Sequence, residues 1–551
     1  MPRTHTAGAT LGTPAPFSLR LGERTRIAGI AILALLVRLL TLRADLVLVD
    51  DELHYAESLA RFLRGDVLGG VSDYWSFLYP LAAIPLAAVS GDAETGLRLL
   101  SIFAGAALTV PAYLIARRLW SPAAAAFSAL FVALHPMLVQ FSAMAMTESF
   151  YMFLLFLSVL FFLEALAGGK ARHQALAAAM IGLAWLTRQE AQFVFAIFLG
   201  VWLLAPGAGS APRPFAARVR GAAMMLAIFV VAASPYIVLL RAKTGRWTTG
   251  AKASVNISSP LLWQEGLAKE EYLYRLNAEG TRRALDDVKA QSPIRVLWEN
   301  RRNVAARYPD NLTAGLGLMP ALLSSPLLVL LVPFGMIGRR WSRARRSEEI
   351  TLFLLGIFPI ALFSFFTVGL RYFVSYLPVY LLWAGAGCWQ LVTWWRESIS
   401  PRTRPAVIVI ALAYLSLLPY IAHKQRVLWE AQPHENRTIG RWIREHEGPG
   451  KRILAKSGSS ISYYAGNAEA TFIPWTDAPG LLRFARHHGY ELLALHEFYV
   501  YKNRPLLVGM LDGTDGLEMI TTFSTRSGDN VILYRIESSA DAPRHEIGGR
   551  P

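Results

Sequence analysis

The chain reads as a polytopic α-helical membrane protein of about eleven spanning helices, followed by a small C-terminal soluble α/β domain. Three observations lead there. Hydrophobic residues fill 54% of the 551 positions and charged residues only 17%, with a mean hydropathy of +0.35. Apolar runs near the length of a bilayer-crossing helix recur as far as about residue 424. Beyond that point the composition becomes that of a water-soluble fold.

Residues 1–26 are polar, rich in Pro, Gly, Thr and Arg, and read as a disordered cytoplasmic tail. Spans then fall at 27–44, 96–116, 123–140, 147–167, 173–187, 189–205, 219–240, 314–337, 350–367, 372–394 and 405–421, within a transmembrane region of 27–424. Arg38 interrupts the first run and no small-residue cleavage site follows, so it reads as an uncleaved span. Tyr79–Val89 is apolar but short, and reads as an interfacial or re-entrant piece of the first outer loop, 45–95. A long outer loop covers 241–312 and carries sequons at Asn256 and Asn311. In the domain 425–551, Arg437–His446 has the pattern of an amphipathic helix. Arg452–Lys456, Thr471–Pro474, Glu491–Leu495 and Asn530–Ile536 have that of strands.

The loop charges fix the sidedness. With the N-terminus in the cytoplasm, every short inner loop is basic: Arg117-Arg118, Lys170 with Arg172, Arg213 to Arg220, Arg339 to Arg346, and Arg396 to Arg404. The first outer loop is acidic, and the C-terminal domain lies outside. The net charge of +16 is thereby explained by the membrane, not by nucleic acid. Cys388 is the lone cysteine, so no intrachain disulfide exists, and no P-loop or zinc-type spacing occurs.

This topology gathers ionisable residues on one side. Asp50-Asp51-Glu52-Leu53-His54-Tyr55-Ala56-Glu57 follows the first span directly. Glu148 starts the fourth span, Arg188 lies in the turn between the fifth and sixth, and Arg371 precedes the tenth. Each has a plain structural alternative. The acidic run suits a helix N-cap, with Leu53, Ala56, Leu59, Ala60 and Leu63 as the apolar face of an interfacial helix; cap and catalysis weigh equally. Glu148 taken singly is a span-end cap, and the arginines are snorkelling anchors. Convergence on one face favours function, because ionisable groups at membrane depth are costly unless paired. Carboxylates can deprotonate a hydroxyl, and guanidiniums bind phosphate and stabilise a departing one. Glycosyl transfer from a lipid-phosphate sugar needs that pair of functions. Clustered carboxylates can also hold a divalent metal, although the spacing does not require one.

The same residues resemble a family. Asp51-Glu52-x-x-Tyr55-Ala56-Glu57 is similar to the first-loop motif of the GT-C glycosyltransferases, in the branch of protein O-mannosyltransferases and the lipid A aminoarabinose transferase. Tyr74-Trp75-Ser76-Phe77-Leu78-Tyr79-Pro80-Leu81, Glu94-Thr95-Gly96-Leu97-Arg98, Ala116-Arg117-Arg118-Leu119-Trp120, His135-Pro136, Thr147-Glu148-Ser149, Gly182 to Arg188, and Arg371-Tyr372 continue it in order from about residue 25 to 425. The resemblance implies an inverting hexosyl- or pentosyltransferase in the plasma membrane. Its donor would be a polyprenyl-phosphate sugar and its acceptor a lipid, polysaccharide or protein. Asp51 would be the general base, Glu52 a positioning or second acid, and Glu148 the second acidic position. Arg188 and Arg371, with His54, Tyr55 and Tyr372, would bind the donor phosphate. His54 stands where aminoarabinose transferases often carry Arg, which weakens that assignment, and the Trp-Trp-Asp motif of oligosaccharyltransferases is absent; Trp394-Trp395-Arg396 falls at an inner span end. The rival readings are a secondary transporter, for which no half-to-half repeat is visible, and a flippase or scaffold indifferent to loss of the outer carboxylates.

Overall fold

The computed structural model describes residues 20–42, 46–168, 170–204, 213–252, 255–256, 271, 274–281, 283, 292–337, 345–365, 368–399, 404–456, 458–466 and 470–537. Helix α1 (Leu21–Leu39) begins inside the stretch read as tail, so residues 21–26 are its first turns; residues 1–19 lie outside the described set. Glu23 sets this start, accepting the Arg20 amide at 3.2 Å and pairing with Arg117 at 3.0 Å. The first loop then forms α2 (Asp51–Leu63), α3 (Val67–Gly70) and α4 (Leu78–Ser90).

Helices α5 (Ala93–Ala107) and α6 (Thr109–Leu119) run on as one apolar rod of 27 residues. α7 (Pro122–Leu134) and α8 (Pro136–Ala143) are bent by 48° at His135-Pro136, where the proline ends the hydrogen-bond ladder. α9 (Thr147–Leu166), α10 (Ala171–Thr187), α11 (Ala191–Leu204) and α12 (Phe215–Thr244) follow. Further on come Arg301–Gly317, Met319–Leu323, Pro326–Ile337, Arg346–Phe363, Leu370–Val374, Leu377–Ser398 and Arg404–Glu430. Helix therefore occupies the region of each expected span. Among the described residues three helices are singly long and apolar enough to cross a bilayer, or five when each bent pair is one span. Val230, Val231, Val238, Leu330 and Leu412 are exposed apolar side chains on the outside of this bundle, as contact with lipid tails requires.

The C-terminal part carries a five-stranded mixed sheet in the order β2-β1-β3-β5-β4. β1 (Ile453–Ala455) pairs in parallel with β2 (Ala470–Thr471) and β3 (Leu492–His496). β5 (Asn530–Ile536) pairs antiparallel with β3 and with β4 (Leu517–Ser524). Strands stand at three of the expected places, the expected Thr471–Pro474 is reduced to the two residues Ala470–Thr471, and β4 is the addition. Its alternation is blurred by a register shift between Met519 and Thr521 and by its open edge position, so no clean period of two marks it in the sequence. The amphipathic helix spans His434–His446 and buries Ile439 and Ile443.

This sheet-bearing part grips the strand of chain that enters α2. Ser460 donates to the Leu48 carbonyl at 2.9 Å, the Leu48 amide donates to Tyr464 Oη at 2.9 Å, and the Val47 amide donates to Gln432 Oε1 at 3.1 Å. The chain entering α2 is thus held by the C-terminal part.

Candidate active site

Asp51 is the first residue of α2, and Asp50 before it holds φ 45° and ψ −117°, a strained backbone for a residue with a Cβ. That turn aims Asp51 away from the helix's own amides. Asp51 Oδ2 instead accepts Arg371 Nη2 at 2.6 Å. Arg371 lies on the short helix Leu370–Val374, and its Nε donates to Glu148 Oε1 at 2.7 Å. Glu148, the second residue of α9, takes Arg188 Nη1 on the same oxygen at 2.8 Å. Arg188 follows the end of α10; its Nε pairs with Glu190, and its guanidinium lies over the Tyr151 ring. Four segments distant in sequence therefore meet in one ion cluster, as the one-face expectation for Asp51, Glu148, Arg188 and Arg371 requires.

Exposure divides the cluster by role. The Glu148 side chain is fully buried and that of Arg188 is 5% exposed, whereas that of Arg371 is 40% exposed. Arg371 and Asp51 form the accessible rim, and Arg188 and Glu148 form the base beneath it. For Arg371, burial is outweighed by Glu148 and Asp51, and its guanidinium is held more firmly protonated than usual.

The remaining expected residues divide. Glu52 is 2% exposed and turns from the guanidiniums of the cluster: Oε1 accepts the Ala145 amide at 2.7 Å and Oε2 the Val49 amide at 3.2 Å. It thereby ties α2 to the chain entering α9 and to the segment before α2. Burial raises its carboxyl to about 7, against the pull of Arg98 and the two amides. Tyr55 is buried edge-on to Trp75 and Tyr79, so its ring packs beneath the cluster. Tyr372 is partly buried beside Phe363, within electrostatic reach of Arg188 and Arg371. His54 stacks on Trp75 at 4.7 Å and lines, with Asp50, Val49, Lys456, Ser460 and Phe472, a neighbouring cavity of about 300 Å3. It does not stand among the guanidiniums. Among the described residues no three His, Cys, Asp or Glu side chains converge as a metal site would need, and Asp51 and Glu148 are engaged by arginines.

Lys252 was not expected here. The Ala251 amide donates to the Asp73 carbonyl at 2.7 Å, and Gln189 donates to the Thr249 carbonyl, which draws the segment down onto the cluster. Lys252 Nζ lies 6.0 Å from the centre of the Trp75 ring and interacts with Glu190 and Asp51. Burial and then Arg188 lower its ammonium below the usual lysine value. No spacing in the sequence separates this lysine from others of the long loop. Only the tertiary clamp on Asp73 does so. Of the two sequon residues, Asn311 lies on the helix Arg301–Gly317 and donates to the Ser364 carbonyl at 2.9 Å.

Residues 77–237 match the family model described as dolichyl-phosphate-mannose-protein mannosyltransferase. The oligosaccharyltransferase of Archaeoglobus fulgidus in its apo form is similar with a TM-score of 0.59 at 12% identity, over 95% of this chain and 75% of that one. ArnT from Cupriavidus metallidurans bound to undecaprenyl phosphate is similar with a TM-score of 0.54 at 14% identity, over 94% and 98%. The archaeal oligosaccharyltransferase AglB from Archaeoglobus fulgidus, in complex with an inhibitory peptide and a dolichol-phosphate, gives 0.59 at 12%, over 95% and 75%. No curated protein matches by sequence. The family model and these neighbours all belong to the GT-C glycosyltransferase superfamily, whose fold this chain shares.

Proposed function

We propose that this chain is a membrane glycosyltransferase that moves a sugar, with inversion, from a polyprenyl-phosphate donor to an acceptor hydroxyl on the outer face of the plasma membrane. The observation that carries this reading is the bonded chain Asp51–Arg371–Glu148–Arg188. Asp51 supplies a carboxylate for the acceptor proton. Arg371, exposed and forked, binds the donor phosphate and stabilises its charge as the glycosidic C–O bond breaks. Lys252 adds a second positive charge at the rim. Arg188 acts through Glu148, which keeps the Arg371 guanidinium oriented, and is therefore a positioning residue. The acceptor enters from the cavity lined by Asp50, His54 and Lys456, so the hydroxyl and the phosphate approach Asp51 from different sides. The span count of about eleven, the outside location of the C-terminal domain at 425–551 and the choice between hexose and pentose belong to the same proposal.

The test is Asp51→Asn in the full chain, reconstituted with a polyprenyl-phosphate sugar and assayed for consumption of the donor. Donor binding and the melting profile stay close to those of the parent. Turnover falls by roughly 10²-fold or more, the range for a general base. Unchanged turnover in the folded variant overturns the assignment, as does the absence of any donor consumption by the parent with donor bound.

A further inference from the structure

A second cavity, of about 670 Å3, lies apart from the ion cluster. Its lining includes Leu42, Asp92, Glu94, Arg98, Arg437, Arg441, Arg444 and Tyr464. Four guanidiniums therefore face two carboxylates. Both carboxylates are spent locally. Asp92 caps α5, accepting the Thr95 amide at 2.8 Å and the Thr95 hydroxyl at 2.7 Å. Glu94 is held by Arg98 at 2.7 Å, by Arg437 at 2.9 Å and by Tyr464 Oη at 3.2 Å. No described acidic side chain forms an ion pair with Arg441 or Arg444, which are exposed one helical turn apart on His434–His446. Arg98, 4% exposed, has a buried Nε with no acceptor. Leu42, just past the end of α1, and the start of α5 place the mouth at the same end of the bundle as the ion cluster.

We propose that this cavity is a phosphate-binding site, in which Arg441 and Arg444 take the anionic oxygens of a phosphorylated ligand over a floor formed by Arg98 and Arg437. Guanidinium forks suit tetrahedral oxyanions, and the neutralised Glu94 keeps the floor rigid without cancelling the outer charge. At the bilayer surface that ligand chemistry has two sources, the headgroup of an anionic phospholipid and a phosphate carried by a soluble molecule. The floor also reaches the proposed active site, because Arg98 and Glu94 act on Glu52, the neighbour of Asp51.

The experiment measures ligand binding to the full chain in detergent by native mass spectrometry, without turnover, so that its outcome is independent of the transferase reading. The probes are dioleoylphosphatidylglycerol, zwitterionic dioleoylphosphatidylcholine and inorganic phosphate. The variants are Arg441→Gln/Arg444→Gln and, as a control on equally exposed arginines elsewhere, Arg64→Gln/Arg246→Gln. We expect phosphatidylglycerol to bind the parent and the control alike and the Arg441/Arg444 variant roughly tenfold more weakly, the loss of about one charge-assisted bond. Arginine-dependent binding of the lipid alone assigns the site to a headgroup, and equal arginine-dependent binding of inorganic phosphate assigns it to a soluble phosphate. Binding that the Arg441/Arg444 variant retains, binding lost equally in the control, or no preference over phosphatidylcholine and no binding of inorganic phosphate each overturns the proposal.

Discussion

Two adjacent carboxylates, Asp51 and Glu52, are given opposite environments by one turn of helix. Asp51 meets a half-exposed guanidinium, while Glu52 is sealed against backbone amides. The contrast has a thermodynamic consequence. The Glu52 carboxyl is raised by burial to about 7 from an ordinary value of 4.5, so the folded state holds its proton where the unfolded state has lost it. The stabilisation is complete below about pH 4.5 and is lost as pH rises through about 7, a loss on the order of 3 kcal/mol for a fully buried group. Glu52→Gln keeps an oxygen for the Ala145 amide and removes the titration. Thermal melts of the reconstituted protein between pH 4.5 and 7.5 are therefore expected to fall with rising pH for the parent by clearly more than for Glu52→Gln. The variant should also retain most of its turnover, in contrast to Asp51→Asn. A sequence reading sees only three acids in a row, and the left-handed backbone at Asp50 that separates their directions is not encoded in any spacing.

The spanning elements owe their arrangement to two breaks that touch each other. α7 and α8 part at His135-Pro136, and Arg301–Leu323 turns by 111° into Pro326–Ile337. His135 joins them: Nδ1 accepts the Met137 amide at 3.3 Å, which places the ring proton on Nε2, and Nε2 donates to the Leu323 carbonyl at 3.1 Å. Arg38 satisfies the other side of the first break, donating to the Ala133 carbonyl at 2.8 Å, the Val132 carbonyl at 3.2 Å and Ser142 Oγ at 3.1 Å. The charge that interrupts the first apolar run is thus an internal cap for carbonyls that a proline has orphaned. Arg38→Met fills the space yet leaves those carbonyls unpaired in an apolar interior. A loss of roughly 2–4 kcal/mol is expected, read as lower thermal stability and lower yield of folded protein in detergent. An unchanged melting temperature would show that another donor replaces the guanidinium. Further on, Pro326–Ile337 crosses Leu377–Ser398 with backbone against backbone, since a Cβ on Gly335 would stand 1.8 Å from the Trp383 carbonyl oxygen. Close approach through small residues is a usual mode of packing where lipid gives no hydrophobic drive between helices.

At the scale of the whole molecule, apolar runs mark where the helices of the bundle lie, while their number as separate spans is blurred by the breaks that shorten most of them. The ion cluster is legible in the sequence because charges beside apolar runs are rare, which sets Asp51, Glu148, Arg188 and Arg371 apart. Lys252 and β4 are not, one because a tertiary clamp selects it and the other because an exposed edge dilutes its alternation. Nor could periodicity show that the C-terminal part reaches across 385 or more residues of chain to hold the entry to α2, as Val47, Leu48 and Arg437 record. Asp51 can be no better placed than the segment 46–49 that precedes it. The last prediction tests that dependence. Tyr464→Phe with Ser460→Ala removes the acceptor of the Leu48 amide and the donor to its carbonyl while preserving the apolar packing of both side chains. Hydrogen exchange of the amides from Val47 to Leu53 is expected to quicken at least several-fold, with the α9 and α10 amides unchanged. Turnover should fall with the loss of order at the Asp51 carboxylate, and the melting temperature should shift little. Faster exchange with full activity would separate the sheet-bearing part from catalysis. Unchanged exchange would show that the remaining bonds from Gln432 and Arg437 suffice to hold α2 in place.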